Sequence, residues 1–136
     1  MELQAVTLVF RVGLPPVELS PNGRVHRLEK ARAAREYRAE ARIMASGARV
    51  ESRWQRPARA RLSLHFGLLD KRARHVVKTS FHPRDVDNAV GACKALIDGL
   101  RDAELIVDDN WAALELGSVT ATFEDGPWVE VRIERV

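Results

Sequence analysis

Strand character is concentrated toward the two ends of this chain, so a fold must bring distant residues into one sheet. LQAVTLVFRV (Leu3–Val12) is crowded with β-branched and apolar residues and reads as a first strand. At the other end, LGSVTATFEDGPWVEVRIERV alternates around Asp125-Gly126, a dipeptide suited to a tight turn, and reads as a hairpin. Between them RARLSLHFGLL (Arg59–Leu69) alternates, with Leu62, Leu64 and Phe66 on one face.

Two helical stretches are interleaved with these strands. LEKARAAREYRAEARIM (Leu28–Met44) is rich in Ala, Glu and Arg, places Tyr37, Ala41 and Met44 at helical spacing, and is expected to fray near Gly47. A second helix runs to about Leu100, capped by Asn88 or Asp87, with Val90, Cys93, Ile97 and Leu100 as its buried stripe. GLPPVELSPNGR, with Pro15, Pro16, Pro21 and Gly23, is a loop. The expected fold is α+β: a single compact domain over 1–136, with a mixed or mostly antiparallel sheet and two main helices.

At 136 residues the chain is long enough for a core, and 46% apolar with 30% charged residues excludes a disordered chain. No apolar run approaches the roughly 20 residues of a membrane span. No basic start followed by an apolar core marks export, and the lone Cys93 fits a reducing compartment, so a cytoplasmic protein with no membrane partner is expected.

The net charge of +3 conceals an asymmetry. Residues 1–84 hold 18 Lys and Arg against 7 Asp and Glu, whereas residues 85–136 hold 4 against 12. Fifteen of the first 18 cations are arginine, whose planar fork of donors matches phosphate. An arginine-loaded part beside an acid-loaded part suggests a polyanion partner and a metal.

The acids are gathered in HPRDVDNAVGACKALIDGLRDAELIVDDNW (His82–Trp111). Asp85 and Asp87, two apart in an extended entry to a helix, can point to the same side, and the helix dipole favours anions there. Asp108 and Asp109 follow the helix and could return to its start. Three carboxylates so arranged would hold a hard divalent cation against a phosphodiester. A calcium-binding EF-hand loop starting at Asp85 is excluded, because its sixth position is Val90 and its twelfth Leu96. His26, His65, His75 and His82 lack zinc-ligand spacing around Cys93, and Cys93 itself reads as core.

RDVDN at 84–88, the helix with Lys94 and ALIDGL at 95–100, and LIVDD at 105–109 together resemble the RusA family of Holliday junction resolvases. LPPVELSPNGRVH (Leu14–His26), followed by a helix bearing Tyr37, is also similar, so the resemblance spans about 6–135 in order of elements. It implies a homodimeric endonuclease, dependent on Mg2+ or Mn2+, that nicks four-way DNA junctions symmetrically and is often encoded by phages or prophages. By position, Asp85, Asp87 and Asp109 would hold the metal and orient or activate the attacking water, with Asp108 as the reserve ligand. Lys94 would offset charge on the phosphate in the transition state. Asn22, Arg24, His26, Arg27, Arg72, Arg74, Lys78 and Arg84 are the candidate contacts to branched DNA.

One departure stands out. The family's lysine follows the asparagine by three residues; that slot is Gly91 here, and Lys94 comes six after Asn88. The shift moves the side chain ~4.5 Å along a helix and turns it ~60°. Lys94 and Asp98 are also spaced as an ordinary helix-face pair. Three other readings stay open: a non-catalytic DNA-binding or architectural module whose acids only cap a helix, a weakened RusA-like scaffold, and a nucleotide phosphohydrolase, which no Gly-rich phosphate loop supports.

Overall fold

The alternating segments form strands because each can bury one face, and the structure shows which face and against what. The computed structural model describes residues 6–21, 24–69, 85–123 and 126–136. Its elements are β1 (Thr7–Val12), a 3-10 turn (Val17–Leu19), α1 (Arg27–Ser52), β2 (Ala60–Gly67), α2 (Val86–Ala92), α3 (Lys94–Asp102), β3 (Leu114–Thr122) and β4 (Trp128–Arg135). The strands make one mixed sheet in the order β1-β4-β2-β3, with β4 antiparallel to β1 and β2, and β2 parallel to β3. The fold is α+β, as expected from the sequence.

Register puts every second residue on the helix-covered face. Leu8 and Leu62 flank Ile133, Val12 and Phe66 flank Val129, and Leu64 lies beside Val131; all eight are buried. Each large apolar side chain so buried contributes about 1.5–3 kcal/mol. The opposite face is polar, with the Arg11 guanidinium 3.9 Å from the Trp128 ring and His65 Nδ1 2.5 Å from Thr120 Oγ1.

The C-terminal hairpin is not formed. β3 and β4 are separated by β2, because the VEVRIERV segment buries its apolar residues best as a central strand between β1 and β2. Gly126 lies against the end of β2: its φ is 153° and a Cβ would lie 2.2 Å from the Gly67 carbonyl oxygen.

α1 continues through Gly47 rather than fraying there. Its buried stripe is Ala33, Tyr37, Ala41 and Ala45, while Met44 is turned outward. Leu28 N–H donates to the His26 imidazole at its start, and Arg53 in the left-handed conformation, φ 56°, ends it. The stripe of alanines permits a close approach by α3. A Cβ on Gly99 would lie 2.7 Å from both the Ala41 Cβ and the Arg38 carbonyl oxygen, so the crossing requires glycine.

The expected second helix is two helices that meet at Cys93, whose φ and ψ of −93° and 10° interrupt it. The break changes the buried stripe: Ala89, Ala92, Leu96 and Leu100 are buried with Cys93, while Val90 and Ile97 are half-buried. Cys93 is core, and burial pushes its thiol up to about 12. No described helix is long and apolar enough to cross a membrane.

Candidate functional site

The site is built where the broken helix meets the start of α1 and the loop before β3. Asp85, not Asn88 or Asp87, is the cap of α2; it is extended (φ −111°, ψ 147°), and its carbonyl accepts from Ala89 N–H. Its carboxylate makes no capping hydrogen bond, and Asp87 lies in the first turn, where the helix dipole favours a negative charge. Both side chains are exposed.

Lys94 is the first residue of α3, and the interruption at Cys93 sets its direction. Its ammonium donates to Asp98 Oδ1 at 3.0 Å and to Asp109 Oδ2 at 2.5 Å. The hydrogen bond from Lys94 holds the Asp109 carboxyl below its ordinary value, and the bonds to Asp109 and then Asp98 hold the lysine above its own. Lys94 thus reaches Asp109 of the later acidic pair, fifteen positions away.

Asp108 has a different employment. Its carboxylate accepts from Arg101 at 3.4 Å, from the Asp109 N–H at 2.8 Å and from the Asn110 side-chain amide at 3.2 Å. These bonds fix the turn that presents Asp109, so Asp108 positions the loop. Farther along α3, Asp102 takes two hydrogen bonds from Arg38 of α1, at 2.6 and 2.8 Å. The guanidinium lowers the Asp102 carboxyl below its usual value.

Lys94 also lines a cleft of about 680 Å³ between the first turns of α1 and the α2–α3 break. Arg27, Lys30 and Asp98 share that lining, over a floor that includes Leu19, Ala34 and Ala95. Three cations on one open, apolar-floored cleft suit a phosphate-bearing ligand. Lys30 was not singled out from the sequence, although it stands one turn beyond Arg27 on the same helix face. His26 caps α1, and Arg24 is exposed beside it.

Asn22, Arg72, Arg74, Lys78 and Arg84 lie outside the described residues. Among the described residues no three His, Cys, Asp or Glu are grouped to hold a metal ion. Asp109 is joined to Lys94, while Asp85 and Asp87 make no side-chain hydrogen bond or ion pair with another described residue. The carboxylate oxygens of Asp85, Asp87 and Asp109 are nonetheless the hard donors that Mg2+ or Mn2+ takes.

Comparison with known proteins adds no assignment: the chain matches no protein-family model and no curated protein.

Proposed function

We propose that this chain is a metal-dependent, structure-selective DNA endonuclease that acts in the cytoplasm as a homodimer and resolves four-way junctions by paired, symmetric nicks. The observation that carries this reading is the joining of Lys94 to Asp109 on the border of a cleft that also holds Arg27 and Lys30. A polyanion drawn to that cleft would meet carboxylates and a lysine together, the groups that phosphodiester cleavage requires.

Each residue then has a physical task. Arg27 and Lys30 hold backbone phosphates and give affinity without reading sequence, as recognition of a branch by shape demands. Asp85, Asp87 and Asp109 would hold the cation, which would supply Lewis acidity at the scissile phosphodiester. Lys94 offsets charge that develops on the phosphate, and Asp98 retains the ammonium near the cleft when Asp109 turns to other work. Two copies related by a two-fold axis present two such sites to two symmetry-related strands.

The Lys94–Asp109 pair also favours a second reading. A carboxylate already satisfied by an ammonium suits a DNA-binding module, or a scaffold of reduced activity, that grips branched DNA without cutting it. An end-labelled four-way junction, with linear duplex as control, separates the two in Mg2+, in Mn2+ and in chelator. Paired nicks on the junction alone, and only with metal, are expected. Tight binding with no scission in either metal would replace the nuclease by the binding module.

A further inference from the structure

Trp111 is the most exposed of the described large apolar side chains, at 90%. The other tryptophans are engaged: Trp54 is buried with its indole N–H donating to the Leu105 carbonyl at 3.0 Å, and Trp128 lies against the Arg11 guanidinium. Trp111 is not on a loose loop. Asn110 Oδ1 accepts from the N–H groups of Ala112 and Ala113, at 3.0 and 3.1 Å, and the Asn110 carbonyl accepts from Leu114 N–H at 2.9 Å. The Asn110 amide is itself bonded to Asp108. A rigid turn therefore holds a large flat ring in water, against the hydrophobic tendency to cover it.

The surroundings of the ring say what would cover it. Trp111 lines a groove of about 220 Å³ with Val90, Ile97, Leu116 and Asp109. Asp109 is hydrogen-bonded to Lys94, which lines the cationic cleft. One side of this ion pair thus offers cations and the other an aromatic face. Asp108, Asp109 and Glu115 near Trp111 are ion-paired with Arg101, Lys94 and Arg61, so beside the ring charge is largely compensated. The groove offers its apolar face to the uncharged face of a base rather than to a phosphate or an anionic lipid headgroup. In a continuous duplex the bases are stacked on one another, whereas a branch point leaves base faces that can be drawn out at lower cost.

We infer that Trp111 is a base-stacking residue that takes an unpaired or frayed nucleobase at the branch while Arg27, Lys30 and Lys94 hold the adjoining phosphates. This rests on the branched-DNA reading above and adds to it the feature that tells a junction from a duplex. A stacked base contributes to affinity largely irrespective of its identity, because every base has a π-face.

The test compares the full-length protein with Trp111→Ala and Trp111→Phe. Binding to a four-way junction and to duplex of the same arm sequence is measured in chelator, alongside sedimentation of each protein. The expected result is a loss of roughly 5- to 100-fold in junction affinity for Trp111→Ala, duplex affinity within twofold, and partial retention by Trp111→Phe. Trp111 emission should be quenched when the parent binds the junction. Unchanged junction affinity in Trp111→Ala would overturn the stacking role while leaving the nuclease reading intact. A shift from dimer to monomer in Trp111→Ala would overturn it in favour of a contact between copies. A parent chain that binds neither DNA would remove both the stacking role and the branched-DNA reading.

Discussion

The two ends of α3 are each tied down by an ion pair, and the two are built differently. At the C-terminal end, Asp102 accepts two hydrogen bonds from the planar Arg38 guanidinium, a forked geometry that locks α3 onto α1. At the N-terminal end, Lys94 offers one flexible ammonium to two acids, Asp98 and Asp109, from a side chain that is 65% exposed. The first arrangement joins two helices whose crossing is closed by Gly99. The second joins a helix to a turn and borders open space on both sides. A fixed fork suits architecture; a point charge shared between partners can be handed to a third.

The comparison breaks most visibly at the acids near the start of α2. Asp87→Asn removes a charge without altering shape at an exposed position, so nicking is expected to fall at least roughly a hundredfold, on the scale of deleting a charge-stabilising group. Junction binding in chelator should be preserved, and stability should fall by no more than about 0.3–1 kcal/mol as the interaction with the helix dipole is lost. Loss of binding together with loss of fold would remove the proposed division between holding DNA and cutting it.

Next comes the tight crossing. Gly99→Ala forces a methyl group into the Ala41 Cβ and the Arg38 carbonyl, and is expected to cost about 1–3 kcal/mol, read from the urea midpoint. An unchanged midpoint would mean that the two helices separate without penalty.

The two ends of α3 can then be compared directly. Arg38→Met should lower stability by roughly 0.2–1 kcal/mol, because the pair is partly exposed, and leave nicking within twofold. Lys94→Met should alter stability by no more than that and reduce nicking about tenfold or more. Equal effects of both substitutions on nicking would mean that the lysine, like the arginine, serves only the fold.

The smallest effect is on pH dependence. Asp109 and Asp102 sit below their ordinary 3.8, so their contribution to stability is present above that value and is lost as pH falls through the lowered folded values. Lys94 sits above its ordinary 10.5, so its contribution is complete below that value and is lost as pH rises through the raised one. These pairs should therefore leave the thermal midpoint flat across neutral pH, with their loss confined to strongly acid and strongly alkaline solution. A midpoint that moved between pH 6 and 8 in the parent but not in Lys94→Met would contradict this assignment.

Local pattern made much of this legible in the sequence. A β-branched, apolar run located β1, alternation located β2, and the Ala- and Arg-rich periodicity located α1, because each buries one face regardless of its neighbours. The Asp125-Gly126 signal misled because a turn dipeptide specifies a bend, not which strands lie beside it; β2 entered between β3 and β4 to complete the core. Gly99 was silent, and Gly126 was read only as part of a turn, because what requires glycine at each is the distant backbone that it approaches. Asp85, Asp87 and the Asp108–Asp109 pair stood out by their spacing, family likeness added Lys94 and the preference for Asp109, and the Lys94–Asp109 contact depends on a helix break that helical periodicity does not register. Trp111 carried no local signal, because whether a ring is covered or exposed is decided by the tertiary structure around it.

The placement of β4 carries a consequence for the timing of the protein's birth. The strand that separates β1 from β2 is the last described element in chain order, so a ribosome delivers the centre of the sheet after both of its neighbours. Until then β1 and β2 have no shared partner, and the surface on which α1 and α3 rest is incomplete. Completion of the fold is thereby deferred until β4 has been synthesised and paired.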